Sequence, residues 1–334
     1  MTNDKIDIVY LWVDGSDKKW QTIRNKCLGE SKTNKNITKP ANFLYRDNGE
    51  LKYSLRSVEE CIPWVNHIYI ITGFDQKPKW LNIKNKKITI ISHEEIMPKN
   101  ALPTFNSNSI EMCISNIKNL SEKFILMNDD TFFNKKISKN FFFTKSGKAV
   151  VAYNNQKHIK KNIQEWLNTA DNYTKTLILS ALKIKEIFGK DMLYIRPSHG
   201  IDPYLKSSII ECKNHPSIKQ NINKQIKNKF RTGNELQRWI FNLYGFVTGT
   251  TILKKARGYK SGHHKISNFI YNTLHWFAVR RSPVFCFDAK ASKESIKHAP
   301  IFCINDSPET DEKILNNNIE FLSKRFPNKS QFEK

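Results

Sequence analysis

The chain is poor in cooperating cysteines. Cys27, Cys61, Cys113, Cys212, Cys286 and Cys303 lie far apart, with no C-x-x-C pair and no short-spaced Cys/His quartet. That spacing argues against a structural zinc site and against a disulfide framework. Long hydrophobic runs are missing too: none approaches the roughly 18–20 residues of a membrane span. The opening MTNDKIDIVYLWVDG carries acids where a secretory signal has a basic segment. Linkers rich in proline, glycine or serine and internal repeats are also absent. These absences lead to the expectation of a cytoplasmic protein, at most peripheral on an anionic membrane face. Acid is scarce as well, with 31 Asp+Glu against 55 Lys+Arg and a formal charge of +24.

Such an excess of positive charge creates a field for anionic partners: nucleic acid, phosphorylated substrates, acidic polymers or an anionic lipid surface. A composition rich in lysine and asparagine produces the same charge by itself, so charge permits these partners without choosing among them. No nucleic-acid module is recognisable, and the aromatics fall in apparent strands instead of interleaving with basic runs. Specific nucleic-acid binding is therefore not expected. At 334 residues and 39% hydrophobic, the chain is long enough for one large α/β domain, or a domain with a sizeable insertion.

Short, β-branched-rich runs at 6–13 (IDIVYLWV), 67–72 (HIYIIT), 87–92 (KITIIS) and 124–128 (FILMN) read as buried strands. Between them, Leu51, Leu55, Val58 and Ile62 mark one face of a helix, and Ile110, Cys113, Ile114 and Ile117 one face of another. Strands alternating with helices imply a mostly parallel sheet covered on both faces. From about 154 to 235 the texture becomes helical and rich in lysine and asparagine, with Lys206, Lys213, Lys219, Lys224, Lys227, Lys229 and Arg231 against Glu211 over 206–231. The expected organisation is an α/β core over 1–153, a Lys-rich helical insertion over 154–235 serving as acceptor platform or lid, and a return to the core over 236–334.

Each expected strand ends in polar residues: Asp14-Gly15-Ser16-Asp17, Thr72-Gly73, His93-Glu94-Glu95 and Asn128-Asp129-Asp130. Open α/β sheets bind ligands outside the carboxyl ends of their strands. Adjacent aspartates there supply hard oxygen ligands for a divalent ion bridging phosphate oxygens, although Asp130 before Thr131 equally suits a helix cap or a solvated turn. Arg46, Lys52 and Arg56 surround a helix start with Asp47 or Asn48 as cap, which suits phosphate binding or an ordinary capped amphipathic helix. His199 in PSHGIDPY and Arg231 in KFRTGNE carry no signal by themselves.

These motifs resemble the Stealth family, which includes bacterial capsule polysaccharide phosphotransferases and the animal N-acetylglucosamine-1-phosphotransferase. The resemblance to the first two conserved blocks rests on IDIVYLWVDGSDKKW (6–20), the stretch 45–82 from YRDNGELKYSLRS to KPKWLN, ISHEEIMP (91–98), LPTFNSNSIE (102–111) and LSEKFILMNDDTFF (120–133). SHGIDPY (198–204) with FRTGNELQRWIFNLYGF (230–246) is similar to the third block, and FCINDS (302–307) leading to FPNKSQFEK (326–334) to the fourth.

The resemblance implies a GT-A-like α/β core that moves a hexose- or N-acetylhexosamine-1-phosphate from a UDP-sugar to a glycan or glycolipid hydroxyl, leaving UMP. It implies Mg²⁺ or another divalent ion held by Asp129 and Asp130. Catalytic roles fall to His199 as general base, Arg231 as phosphoryl clamp, Asp130 and Asp306. Asp14, Gly15, Arg46, Asn48, Arg56 and Asn106 fall on the donor side. Asn108 and Ser109 stand where family members often have His-Ala, so the sugar or acceptor differs if that position lines the acceptor side. The alternative is a conventional metal-dependent glycosyltransferase, which would release UDP.

Overall fold

The computed structural model describes residues 4–30, 45–158, 162–189, 193–197, 201–255, 285–287, 296, 299–306 and 310–334. In chain order its first half holds β1 (Ile6–Leu11), α1 (Lys18–Glu30), α2 (Glu50–Cys61), β2 (Ile68–Thr72), β3 (Ile88–Ser92), α3 (His93–Ile96), α4 (Ser107–Glu111) and β4 (Lys123–Asn128). After β5 (Thr131–Phe133) and β6 (Ala149–His158) come α5 (Ile163–Thr169), α6 (Asn172–Phe188), β7 (Leu193–Pro197), β8 (Ile201–Leu205), α7 (Lys206–Asn214) and α8 (Pro216–Gln225). The chain continues through α9 (Trp239–Thr248), β9 (Thr251–Lys255), β10 (Phe285–Phe287) and β11 (Ile301–Ile304) to a C-terminal helix, Glu312–Arg325. No helix among the described residues is long and apolar enough to cross a membrane.

The central sheet has the order β3-β2-β1-β4-β8. Its first four strands are parallel and β8 runs antiparallel to β4, so the expected mostly parallel α/β sheet with flanking helices is the one observed. The four strands read from the sequence lie where they were placed. They are apolar on both faces because helices cover both sides; Ile6, Ile8, Val9, Ile70, Phe124, Ile125 and Met127 are all fully buried. From β1 the chain moves outward through β2 to β3, then crosses to put β4 on the other side of β1. Leu11 is therefore in register with both Ile71 and Asn128. The loops after β1 and β4 leave the sheet side by side at the point where strand order reverses, the usual position of a crevice in open α/β sheets.

Two expectations change. The helix read from Ile110 to Ile117 is instead the five-residue α4 followed by a 3₁₀ turn over Ile114–Asn116. All four marker residues are buried, but so are Glu111 and Ser115 between them and Asn108 and Ser109 just before, so burial here does not follow one helix face. The 154–235 stretch is helical in α5 to α8, yet it also supplies β8 to the central sheet, and its start at 154 falls inside β6. Leu177, Ile178, Ile209 and Ile218 join the same apolar core as Ile8 and Leu126, so this stretch is woven into the core and not merely set upon it.

Arg56 on α2 fixes the C-terminal segment. Its Nε and Nη2 each donate to a different oxygen of Glu333 at 2.7 Å, and Nη1 donates to the Phe326 carbonyl at 2.7 Å. Their side chains are only 11% and 4% exposed, so this bidentate pair is largely desolvated. Burial works to raise the Glu333 carboxyl, but hydrogen bonds from Arg56 and Ser330 outweigh it and hold the group below the usual range. Glu333→Ala leaves Arg56 buried without its partner and is expected to cost about 3 kcal/mol in a urea titration. Because the folded pKa is depressed, the advantage of wild type over Glu333→Gln is full above the ordinary glutamate value of about 4.3 and is lost as pH falls below it.

Candidate active site

A cavity of about 370 Å³ opens at the carboxyl edge of the central sheet. Asp129 and Asp130 enter it from the end of β4. There the chain turns off the central sheet after two residues and becomes β5, which pairs antiparallel with β11. A hydrogen bond from the Ile304 N–H to the Asp130 carbonyl, 2.9 Å, continues that pairing and brings Asn305 and Asp306 to the cavity. Arg46 reaches in ahead of α2, its Nε 3.5 Å from Asp306 Oδ2. Arg231 arrives from the loop after α8: Asn106 Nδ2 donates to the carbonyls of Asn228 and Phe230 at 3.3 and 3.2 Å, holding that loop beside α4, and Arg231 donates to Ser107 Oγ. Arg231 has no carboxylate partner among the described residues.

The cavity's charge opposes that of the whole protein. Glu50, Glu111, Asp129, Asp130, Asp202 and Asp306 line it against Arg46, Arg231 and Arg238. His93 does not offset the difference, because burial pushes its imidazole down to about 4 and leaves it neutral. Burial, then Asp130, Glu50 and Asp47, raise the Asp129 carboxyl well above the usual range. Glu50 is pushed up to about 7 by burial, against the hydrogen bonds it accepts from Asn48. Burial is the larger cause at both carboxyls, and neighbouring carboxylates add to it.

The donor set suits a hard cation only in part. No group of three or more His, Cys, Asp or Glu among the described residues is arranged to hold a metal. Adjacent carboxylates with open positions match an ion that keeps waters and completes its shell with substrate oxygens, as Mg²⁺ does. Asp129 and Asp130 are the residues that could hold it.

The structure brings five of the sequence candidates to the cavity: Asp129, Asp130, Arg46, Arg231 and Asp306. Four other candidates shape the surroundings. Asp14 accepts from the Ser16 N–H and hydroxyl, and Gln76 clamps its backbone from both sides. Gly15 donates to the Tyr45 carbonyl, where a Cβ would sit 2.4 Å from that oxygen. Asn48 braces Glu50, and Asn106 braces the Arg231 loop. The cap of α2 is Gly49, not Asp47 or Asn48 as expected; its φ of 86° gives the helix its entry turn. Arg56 lies outside the cavity, occupied by Glu333, and we leave it out of the ligand site. His199 lies outside the described residues; Pro197 and Asp202 on either side of it line the cavity.

Several lining residues were not read from the sequence. Arg238 bonds Glu111 at 2.8 Å and Asp202 at 3.1 Å. An aromatic wall runs from Phe74 to Phe105 to Phe230, ring centroids 5.3 Å apart at each step, with Trp20 set edge-on to Phe105 and Tyr45 packed on Trp20. Phe74 and Asp75 are in left-handed backbone (φ 61° and 62°), which turns the chain after β2. Asn108 faces the cavity, whereas Ser109 is turned away to the Gln225 carbonyl at 2.9 Å.

Family models match two segments: Stealth protein CR1, conserved region 1, over residues 4–32, and Stealth protein CR2, conserved region 2, over residues 44–151. The capsular polysaccharide phosphotransferase WcwK of Streptococcus pneumoniae is 31% identical over 99% of this chain and 98% of its own length. The capsular polysaccharide phosphotransferase fcs1 of Haemophilus influenzae is 31% identical over 94% of this chain and 81% of its own. The exopolysaccharide phosphotransferase cps2G of Lactiplantibacillus plantarum is 44% identical over 42% of this chain and 40% of its own. Among solved structures, galactosyltransferase LgtC in complex with donor and acceptor sugar analogs aligns with a TM-score of 0.44 at 11% identity, over 96% of this chain and 95% of that one, a likeness too distant to carry functional weight.

Asp129→Asn removes a carboxylate that the folded protein holds against burial and like charge. At pH 7 and without divalent ions it is expected to raise unfolding stability by about 1 kcal/mol. The folded pKa is raised, so the cost it removes is present above the ordinary aspartate value of about 3.9; the gain should vanish as unfolding is measured below that pH.

Proposed function

The chain belongs to the Stealth family and is a transferase; from that premise we propose that it moves a hexose- or N-acetylhexosamine-1-phosphate from a UDP-sugar to a hydroxyl of a growing surface glycan, forming a phosphodiester and releasing UMP. The observation that carries the proposal is that Asp129 and Asp130 share one acidic cavity of a strongly basic protein with Arg231, which has no carboxylate partner among the described residues. A diphosphate cannot enter a net negative cavity without a cation. When bound, a divalent ion on Asp129 and Asp130 would neutralise phosphate charge and favour departure of the UMP group.

The chain's own residues divide the remaining work. Arg231, held by Ser107, meets the oxygens of the transferring phosphoryl group, where negative charge must be stabilised. Arg46, leaning on Asp306, offers a second guanidinium to the diphosphate. The wall of Phe74, Phe105 and Trp20 suits a planar base. His199 takes the proton of the acceptor hydroxyl as its oxygen bonds to the sugar-linked phosphorus and the phosphorus–oxygen bond to UMP breaks. The bond between anomeric carbon and oxygen stays intact, so the anomeric configuration is retained without a sugar–enzyme intermediate. Lys219, Lys224 and Lys227, all exposed on or just after α8, suit an anionic acceptor or an anionic membrane face.

A screen of UDP-GlcNAc, UDP-ManNAc, UDP-GalNAc, UDP-Glc and UDP-Gal should give UMP and a diester phosphorus resonance. UDP as the stoichiometric product would replace this reading with conventional glycosyl transfer. Arg231→Ala is expected to lower kcat about 10²-fold. Asp130→Asn should act in the same direction with the fold intact and EDTA should mimic it. His199→Ala is expected to lose about 10²–10⁴-fold in kcat with donor affinity kept and the acid limb of the pH–rate profile removed.

A further inference from the structure

At the opposite flank of the sheet from β8 lies a basic surface with no part in the reaction just described. The connection from β2 to β3, residues 73–87, contains no helix. Because the two strands are parallel, it returns from the carboxyl edge of the sheet to the amino edge, beside the edge strand β3. Between 76 and 93 the chain holds Lys77, Lys79, Lys84, Lys86 and Lys87 and no Asp or Glu. All five lysines are exposed, and none is in an ion pair among the described residues. Acids on the neighbouring segments are already engaged: Asp75 with Lys19 at 2.8 Å, Glu333 with Arg56, and Glu59 with the Gln331 amide at 2.7 Å.

The connection is pinned along its length. Leu81 is fully buried and bridges to Glu333. The Asn82 N–H donates to the Phe332 carbonyl at 2.8 Å, the Lys334 N–H to the Trp80 carbonyl at 2.9 Å, and the Asn85 amide to the Gln331 carbonyl at 3.0 Å. These bonds tie it to the same C-terminal segment that Arg56 holds on α2. Ile83, two residues after the buried Leu81, is left 51% exposed, more than any other large hydrophobic residue among those described. An aliphatic side chain is thus held in water by a fixed backbone, among lysines that have no partner of opposite charge.

We propose that residues 77–87 are the face on which the protein docks to an anionic lipid bilayer. A bilayer is anionic at its surface and apolar just beneath, so it takes both features of the patch: the ammonium groups meet lipid phosphates while Ile83 enters the acyl boundary. A nucleic acid or an acidic glycan is anionic but has no apolar layer for Ile83. The patch also lacks arginine, whose planar fork suits phosphate recognition in nucleic acids. None of the five lysines lines the cavity, so docking here does not depend on which group the cavity transfers. With the bilayer on this face, Lys219, Lys224 and Lys227 remain for an anionic acceptor.

Co-sedimentation with phosphatidylcholine vesicles, with and without phosphatidylserine, tests the assignment. Wild type is expected to bind only the anionic vesicles and to be released in about 0.5 M salt, where the Debye length is a few Å. Replacing Lys84, Lys86 and Lys87 together by Gln should weaken binding about 10²-fold, at about fivefold per lysine. Ile83→Ser changes no charge and should weaken it about tenfold. Removing the same charge elsewhere, with Lys219, Lys224 and Lys227 all replaced by Gln, is expected to weaken it less than about threefold. Every substituted side chain is exposed, so melting curves should match wild type; should a triple variant fail to fold, Ile83→Ser decides. Equal losses in the two triple variants would reduce the effect to net charge and overturn the proposal, as would wild type that ignores anionic vesicles. Undiminished binding by Ile83→Ser would also overturn it, pointing instead to a polyanion with no apolar layer.

Discussion

Negative charge confined at the carboxyl edge of β4 is the constraint on which the rest of the architecture depends. Asp129 and Asp130 are adjacent, so they repel each other, and Glu50 and Asp47 add to the repulsion. Holding such a group together costs free energy unless something positive arrives. The fold tolerates the cost because the surrounding structure over-determines those positions: β4 is fixed along its length between β1 and β8, and β5 is tied to β11 directly afterwards. The site is thus an electrostatic arrangement in which carboxylates outnumber the guanidinium groups among the described lining residues.

That arrangement gives two scales of electrostatics opposite signs. At long range the protein carries +24, which draws anions toward it and weakens with salt as the Debye length shortens. At short range the cavity is acidic, so an anion arriving without a cation meets repulsion. Arg231 is the exception inside the cavity: among the described residues it is held by a serine hydroxyl and by no carboxylate. Arg46 is partly committed to Asp306 and Arg238 fully committed to Glu111 and Asp202. The same residue type is therefore held by a hydroxyl, partly paired or fully paired within one cavity.

Much of the remaining structure exists to bring distant segments to one edge. Asn106 is fully buried and spends its amide on carbonyls more than a hundred residues away, which sets Arg231 beside Ser107. Gly15 permits the β1 loop to touch the Tyr45 backbone, where any side chain would collide. Arg56 holds the C-terminal segment on α2 through Glu333 and the Phe326 carbonyl. None of these residues is placed to touch a ligand, yet each fixes the position of one that is.

Read alone, the sequence determined the parallel strands and the polar cluster after each of them. Short continuous apolar runs and β-branched composition are local signals, and strand ends follow directly from them. The motifs carried the family resemblance, and with it Asp129, Asp130, Arg46, Arg231 and Asp306, which the fold gathers in one cavity. Tertiary structure alone decided which polar residues face the cavity and which brace it. Asp14, Asn48 and Asn106 read like ligand residues but are consumed by neighbouring backbone and side chains. Arg56 is indistinguishable from Arg46 until Glu333, 277 residues away, appears beside it. Glu111, Asp202 and Arg238 lie within the quoted motifs, but nothing there marked them as one cluster, because ion pairs drawn from three separate elements have no periodicity or spacing in the chain. Burial and partnership are properties of the folded surroundings, and a linear pattern records only which residues are present to be buried or paired.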